Sequence, residues 1–141
     1  MIAVLDASMA VNIIRKAPVG LAAIETLVKL DRVIAPSFFR LEAASALCKY
    51  TNAGVIKTTE AMELFRQGCS LVDEFYEVGE LMDEVILESV RLKHSVYDLP
   101  YLVLARRNGA ALFTCDKRLY NLAAECGVWV YSDFNQYEKN C

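Results

Sequence analysis

Short aliphatic runs alternate along this chain with longer stretches in which apolar residues recur every three to four positions. MIAVLD is a β-branched and aliphatic run suited to a central strand, and residues 7–16 follow it at helical spacing until Pro18 and Gly20 break the pattern. Residues 20–30 read as a second helix. DRVIAP reads as a short strand stopped by Pro36, with Ser37 placed to cap a helix that ends near Gly54. Thr58 is placed to cap a further helix ending near Gly68, and CSLVDEFYEV reads as a polar-interrupted strand at a sheet edge. Residues 80–94 set acids against Leu, Met, Val and Ile at helical spacing. SVYDLP opens a helix that runs to Asn108 and is closed by Gly109; AALFTC, DKRLYNLAAEC and VWVYS then give strand, helix and strand. Strands alternating with helices predict an α/β fold, a three-layer α/β/α sandwich with a mainly parallel sheet of about five strands. One domain is expected over residues 1–141.

One position breaks the pattern. In FFRLEAASAL, Phe38, Glu42 and Ala46 share a helical row flanked by Phe39, Ala43 and Leu47, which puts a carboxylate on an apolar side. Capping cannot account for an acid in mid-helix. Either Glu42 is half of a buried ion pair, with Arg40, Lys49 or a distant partner, or it belongs to a site.

Three aspartates stand at element boundaries. Asp6 ends the first strand, Asp98 precedes a helix, and Asp116 lies between a strand and a helix. Each could be an ordinary N-cap. However, ligands of parallel sheets bind outside the carboxyl ends of the strands, where Asp6 and Asp116 fall. If Asp6, Glu42, Asp98 and Asp116 converge, pairs about 5 Å apart repel by roughly 3 kcal/mol at an effective dielectric near 20. Such a group takes up protons or cations. Oxygen ligands without imidazole or thiolate select Mg²⁺ or Mn²⁺, and those ions suit phosphate-ester cleavage by an activated water. Two hydroxyls fit the same picture. Ser8 lies two residues past Asp6, and Thr114 shares a strand face with Asp116, which it could orient; local turn or cap bonding is the plainer role for both.

Composition narrows the setting. A hydrophobic share of 55% and a mean hydropathy of +0.27 favour elements buried on both faces. No apolar run reaches the roughly 18 residues that span a bilayer. The amino end lacks a basic start and meets Asp6 at once, so no signal peptide is expected and a cytoplasmic location, away from membranes, is the default. A net charge of −3 gives no bulk electrostatic pull on nucleic acid, so such a partner would need local cations or bound metal. Cys48, Cys69, Cys115, Cys126 and Cys141 show no zinc-like spacing and read as reduced, buried thiols; a disulfide would fit only a hyperthermophile.

LDAS, the mid-helix LEAASAL, SVYDLPYLVLA and LFTCDKRL, in that order, resemble the PIN-domain ribonucleases, especially VapC-type toxins of toxin–antitoxin pairs. The resemblance runs almost end to end. It implies a parallel sheet between helices and an acidic site at Asp6, Glu42, Asp98 and Asp116 with Ser8 and Thr114 in support. It also implies Mg²⁺- or Mn²⁺-dependent cleavage of RNA, a homodimer, and a small antitoxin covering the acidic groove. Leu99-Pro100 departs from the usual pattern after the third acid, though proline is tolerated in a first helical turn.

Other readings remain open at this stage. A catalytically silent interaction module could keep the fold, although a scaffold does not need four acids. A haloacid-dehalogenase-like phosphatase also begins with a strand and an aspartate, but wants a second aspartate where Ser8 stands. His94, the single histidine, is either a proton shuttle or a helix-end residue favoured by the dipole. Arg106, Arg107, Lys117 and Arg118 could contact phosphates or form a solvated face. Tyr97, Tyr101 and Tyr120 could stack on bases or pack in the core.

Overall fold

The computed structural model describes residues 1–132. Five strands form one sheet: β1 (Ile2–Leu5), β2 (Arg32–Pro36), β3 (Glu74–Tyr76), β4 (Ala111–Phe113) and β5 (Val130–Tyr131). Their order is β3-β2-β1-β4-β5, and every neighbouring pair is parallel. Period-two alternation divides each central strand between two cores. Val4, Ile34 and Leu112 face one layer; Ala3, Leu5, Val33, Ala35, Ala111 and Phe113 face the other.

Among the described residues seven helices cover the two faces. On one lie α1 (Ala7–Ile14), α2 (Pro18–Leu27), α3 (Phe38–Asn52) and α4 (Thr58–Ser70), and on the other α5 (Val78–Leu92), α6 (Leu99–Asn108) and α7 (Lys117–Glu125). The expected three-layer α/β/α architecture is therefore what the chain adopts. Buried on every side from Leu99 to Ala105, α6 packs across β1, β2 and β4. Burying a leucine contributes about 1.5–3 kcal/mol relative to leaving it exposed, so Leu99, Leu102 and Leu104 alone anchor this helix firmly. Gly109, at φ 56°, ends it in the left-handed conformation that glycine adopts without cost.

Several boundaries differ from the sequence expectation. The expected ten-residue edge strand shrinks to β3, because Cys69 and Ser70 continue α4 and Val78 already starts α5. That stretch is indeed an edge. The break expected near Pro18 falls between α1 and α2, and Pro18 opens α2 as its first residue, where its missing N–H costs nothing. Ser37 adopts a helical backbone with no capping bond; its Oγ instead accepts the Val78 N–H at 3.3 Å and joins the starts of α3 and α5. At α4 the cap position falls on Lys57 rather than Thr58. The thiols are less buried than expected. Cys48 is exposed, Cys69, Cys115 and Cys126 are half-buried, none of the four is in a disulfide, and Cys141 lies outside the described residues.

Among the described residues no single helix is long and apolar enough to cross a membrane. The apolar helices α1 and α2 turn 106° apart and lay their hydrophobic faces on the sheet. Their junction depends on Gly20, where a Cβ would fall 2.2 Å from the Asn12 carbonyl oxygen and 2.5 Å from the Ile13 nitrogen. Because those neighbours are backbone, they cannot swing aside. Gly20→Ala is expected to lower stability by about 2 kcal/mol, measured by urea unfolding; an unchanged midpoint would show that the two helices can part freely.

Candidate active site

The sheet order reverses at β1, since the chain builds β2 and β3 on one side of it and β4 and β5 on the other. The crevice beyond the carboxyl ends of β1 and β4 is thus a topological switch point. Asp6 follows β1 there and is 4% exposed. Ser8 Oγ and Thr114 Oγ1 each donate to the same Asp6 oxygen, Oδ2, at 2.6 Å. Both hydroxyls are aimed by the backbone. The Cys115 N–H donates to Ser8 Oγ at 3.0 Å and the Asp116 N–H to Thr114 Oγ1 at 2.9 Å, so their protons are left to point at the carboxylate. Thr114 therefore orients Asp6 with its hydroxyl and touches Asp116 only through the main chain, whereas the sequence suggested that it would orient the Asp116 carboxylate. Burial pushes the Asp6 carboxyl up, the two hydroxyls pull it back, and the Asp116 charge adds to the rise.

The aspartates separate when tested as caps. Asp116 is one: its Oδ1 accepts the N–H groups of Arg118 at 2.8 Å and Leu119 at 3.1 Å. Asp6 and Asp98 occupy the cap positions of α1 and α6 without a side-chain capping bond. Capping thus explains one of the three, and only one oxygen of it.

Glu42 lies on the half-buried shoulder of α3 with Phe38 and Ala46, while Phe39, Ala43 and Leu47 form the buried face. Among the described residues no cation pairs with it. Arg40 stacks 3.8 Å over the Phe75 ring and Lys49 is exposed. Its partner is Tyr101, whose hydroxyl donates to Glu42 Oε1 at 2.5 Å. Tyr101 is 1% exposed, and its oxygen also accepts a hydrogen bond from the Ala7 backbone. One hydroxyl so joins α6, α3 and the start of α1. Burial, opposed by Tyr101 and reinforced by the charges of Asp6, Asp98 and Asp116, pushes Glu42 up to about 7. This use of Tyr101 was missed in the sequence, where it read as a base-stacking or core ring. The available signal was its place three residues after Asp98, on the same helix face.

Asp98 meets His94. Asp98 Oδ2 and His94 Nδ1 are 3.5 Å apart, and both atoms are buried without a hydrogen-bond partner. Burial and then the Asp116 charge raise the Asp98 carboxyl, while His94 and Arg118 pull it down. Two of the other candidate cations lie away from phosphate duty. Arg106 pairs with Glu88 at 2.9 Å and Arg107 with Glu84 at 3.3 Å. Tyr97 is 66% exposed and lies 6.0 Å from the Phe38 ring.

All four acids fall at one end of the sheet and feel one another as charges. They do not close into a cage as they stand: among the described residues no three acidic, His or Cys side chains gather tightly enough to hold an ion. The donor set nevertheless suits a hard cation, being all oxygen, mutually repelling and including the orphaned Asp98 Oδ2.

The PIN domain family model matches residues 3–125, and the chain belongs to that family. It is 30% identical over 116 residues to Ribonuclease VapC12 of Mycobacterium tuberculosis, an alignment covering 82% of this chain and 88% of that protein. Two crystal structures share the fold. PAE2754 from Pyrobaculum aerophilum matches with a TM-score of 0.65 at 21% identity, over 83% of this chain and 81% of that one. VapBC2 from Rickettsia felis, bound to a DNA fragment from their promoter, matches with a TM-score of 0.67 at 17% identity, over 94% and 98%.

The electrostatics fix the sign of a pH effect. With Glu42 raised from 4.5 to about 7, the folded chain holds this proton more tightly than the unfolded chain. Stability is therefore complete below the unfolded value and falls as pH rises through the folded one. In EDTA the protein is expected to lose on the order of 1–2 kcal/mol between pH 5 and 8 from this group, after allowance for solvent screening. In Glu42→Gln that part of the slope should vanish, and stability at pH 8 should equal or exceed the parent's; a large loss would reveal a structural ion pair instead. Tyr101→Phe removes the donor, so Glu42 should titrate higher still and about 1 kcal/mol of stability be lost, read by carboxyl NMR titration and urea melts.

Proposed function

We propose that this chain is an endoribonuclease that hydrolyses RNA at the acid cluster, acting as the toxin of a toxin–antitoxin pair. The observation that carries the reading is the electrostatically coupled set Asp6, Glu42, Asp98 and Asp116 at the switch point of a PIN domain. Similarity to Ribonuclease VapC12 supports the substrate class. The fold shared with VapBC2 fits partnership with a small antitoxin, and a homodimer of single-domain chains completes the proposal.

Asp6, Glu42, Asp98 and Asp116 would hold Mg²⁺, with Mn²⁺ able to substitute. When bound, such an ion neutralises the phosphate and acidifies water, supplying the nucleophile at neutral pH. The protein's own part follows from its hydrogen bonds. Ser8 and Thr114 fix the Asp6 carboxylate through Oδ2 and leave Oδ1 untouched by either hydroxyl. The cap bonds of Asp116 engage Oδ1 alone. Tyr101 holds Glu42 by Oε1. With no cation bound the Glu42 carboxyl is pushed up to about 7, and a bound divalent ion would return it to the ionised form that ligation needs. Against a catalytically silent PIN module stand the raised carboxyls, which would burden a scaffold for no return.

The test is cleavage of a mixed RNA pool with Mg²⁺, with EDTA, and by Asp98→Asn with Mg²⁺. Chelation and the substitution should each reduce the rate by about 100-fold or more, as should Glu42→Gln, which keeps its fold. Equal cleavage in every arm would overturn the metal–carboxylate mechanism.

A further inference from the structure

The acid cluster opens sideways into a groove that the mechanism does not use. A cavity of about 480 Å³ runs along α3 and is lined by Glu42, Ser45, Ala46, Lys49 and Tyr50. These residues follow at one-turn intervals on a single helix face, so the groove begins at a candidate catalytic acid and ends about 12 Å farther along the helix. At that far end the charge changes sign. Lys49 is exposed, and the Arg15 guanidinium from the end of α1 lies 3.7 Å over the Tyr50 ring. Neither cation has a carboxylate partner among the described residues, unlike Arg32, Arg66, Arg91, Arg106 and Arg107. A cation held flat on an aromatic ring presents fixed positive charge beside a stackable surface.

We propose that the α3 groove is a binding subsite for single-stranded RNA, in which Lys49 and Arg15 take backbone phosphates and Tyr50 supports a base a few nucleotides from the cut. This rests on the ribonuclease reading and adds the path that the strand follows. The charged groups Glu42 and Lys49 and the Ser45 hydroxyl in its lining suit a ligand that carries charge as well as an aromatic face. It also resolves an electrostatic difficulty: a polyanion must approach four carboxylates, and a chain of net charge −3 offers no general attraction. Local unpaired cations within about a Debye length of the acids supply it. The larger cavity between α3 and α4, about 620 Å³ and lined by Leu47, Met62 and Phe65, does not compete. Its one cation, Arg66, is paired with Glu63.

The test uses full-length protein silenced by Asp98→Asn, a fluorescein-labelled single-stranded RNA decamer, and anisotropy at several salt concentrations with Mg²⁺ held constant. Removing both cations by Lys49→Ala with Arg15→Ala should weaken binding at least tenfold. It should also lower the salt slope by about 1.4, near 0.7 for each single-strand phosphate that is no longer neutralised. Tyr50→Ala should weaken binding severalfold with little change in slope, and Lys49→Arg should retain parental binding. Thermal melts within a few degrees of the parent show that each variant is folded. Binding and slope indifferent to all these changes, while wild type still cleaves RNA, would overturn the subsite and leave the ribonuclease reading standing. Failure of the parent to bind RNA, together with failure of wild type to cleave it, would overturn both.

Discussion

Everything at the working end of this molecule is arranged around one unfavourable placement, the carboxyl group of Asp6 buried at the end of the central strand. An ionised group so buried is tolerated only where hydrogen bonds replace the water it has lost. The replacements come from two segments, Ser8 from the first turn of α1 and Thr114 from just past the end of β4. The adjacency of β1 and β4 is therefore a chemical requirement as well as a packing solution. Each hydroxyl is in turn aimed by an N–H of the segment that carries Asp116. A shift of β4 by one residue would turn Thr114 to the other face of the sheet and undo the set.

That constraint explains which parts of the molecule could be read from its sequence. Strands such as MIAVLD and AALFTC are legible because a strand buried on both faces must be aliphatic throughout. The site's acids are legible because Glu42 has no structural excuse on its helix and Asp6 ends the central strand. Asp98 and Asp116 were ambiguous for a physical reason: a good N-cap and a metal ligand want the same residue at the same kind of position. Only side-chain geometry separates them, and it shows one cap and two acids at cap positions with no capping bond. Contacts between residues remote in sequence were not legible. Tyr101 reaches Glu42 across 59 positions, and Ser37 serves α5 instead of its own helix. The overlong edge strand at CSLVDEFYEV has a simpler origin, since an amphipathic helix end and a short strand leave similar apolar runs.

The arginines divide between structure and surface charge. Glu88, with its side chain 8% exposed, is gripped by Arg91 at 2.6 Å and by Arg106 at 2.9 Å, locking α5 to α6. The Arg91 hydrogen bond chiefly holds the Glu88 carboxyl below its usual range. Removing one partner of such an interaction leaves a poorly solvated charge, so these arginines are committed to the fold. Electrostatic attraction of a substrate must then come from cations without such commitments. Lys49 and Arg15 stand at the far end of the α3 groove, and Arg118 is close enough to be felt by Asp98.

Helix α3 shows how one element can carry packing, chemistry and access at once. Its buried face, Phe39, Ala43 and Leu47, fixes the helix on the sheet. The adjoining half-buried row places Glu42 where burial raises its proton affinity and the Tyr101 hydroxyl engages its Oε1. Continuing along that side, Ser45, Lys49 and Tyr50 line an open groove. A loop could present the same groups, but not at fixed spacing, and a carboxylate that drifts by an ångström loses its relation to Asp6. The rigidity needed at Glu42 thus also fixes the groove beside it, and a strand held at the acids meets Lys49 and Tyr50 at a distance set by helical rise.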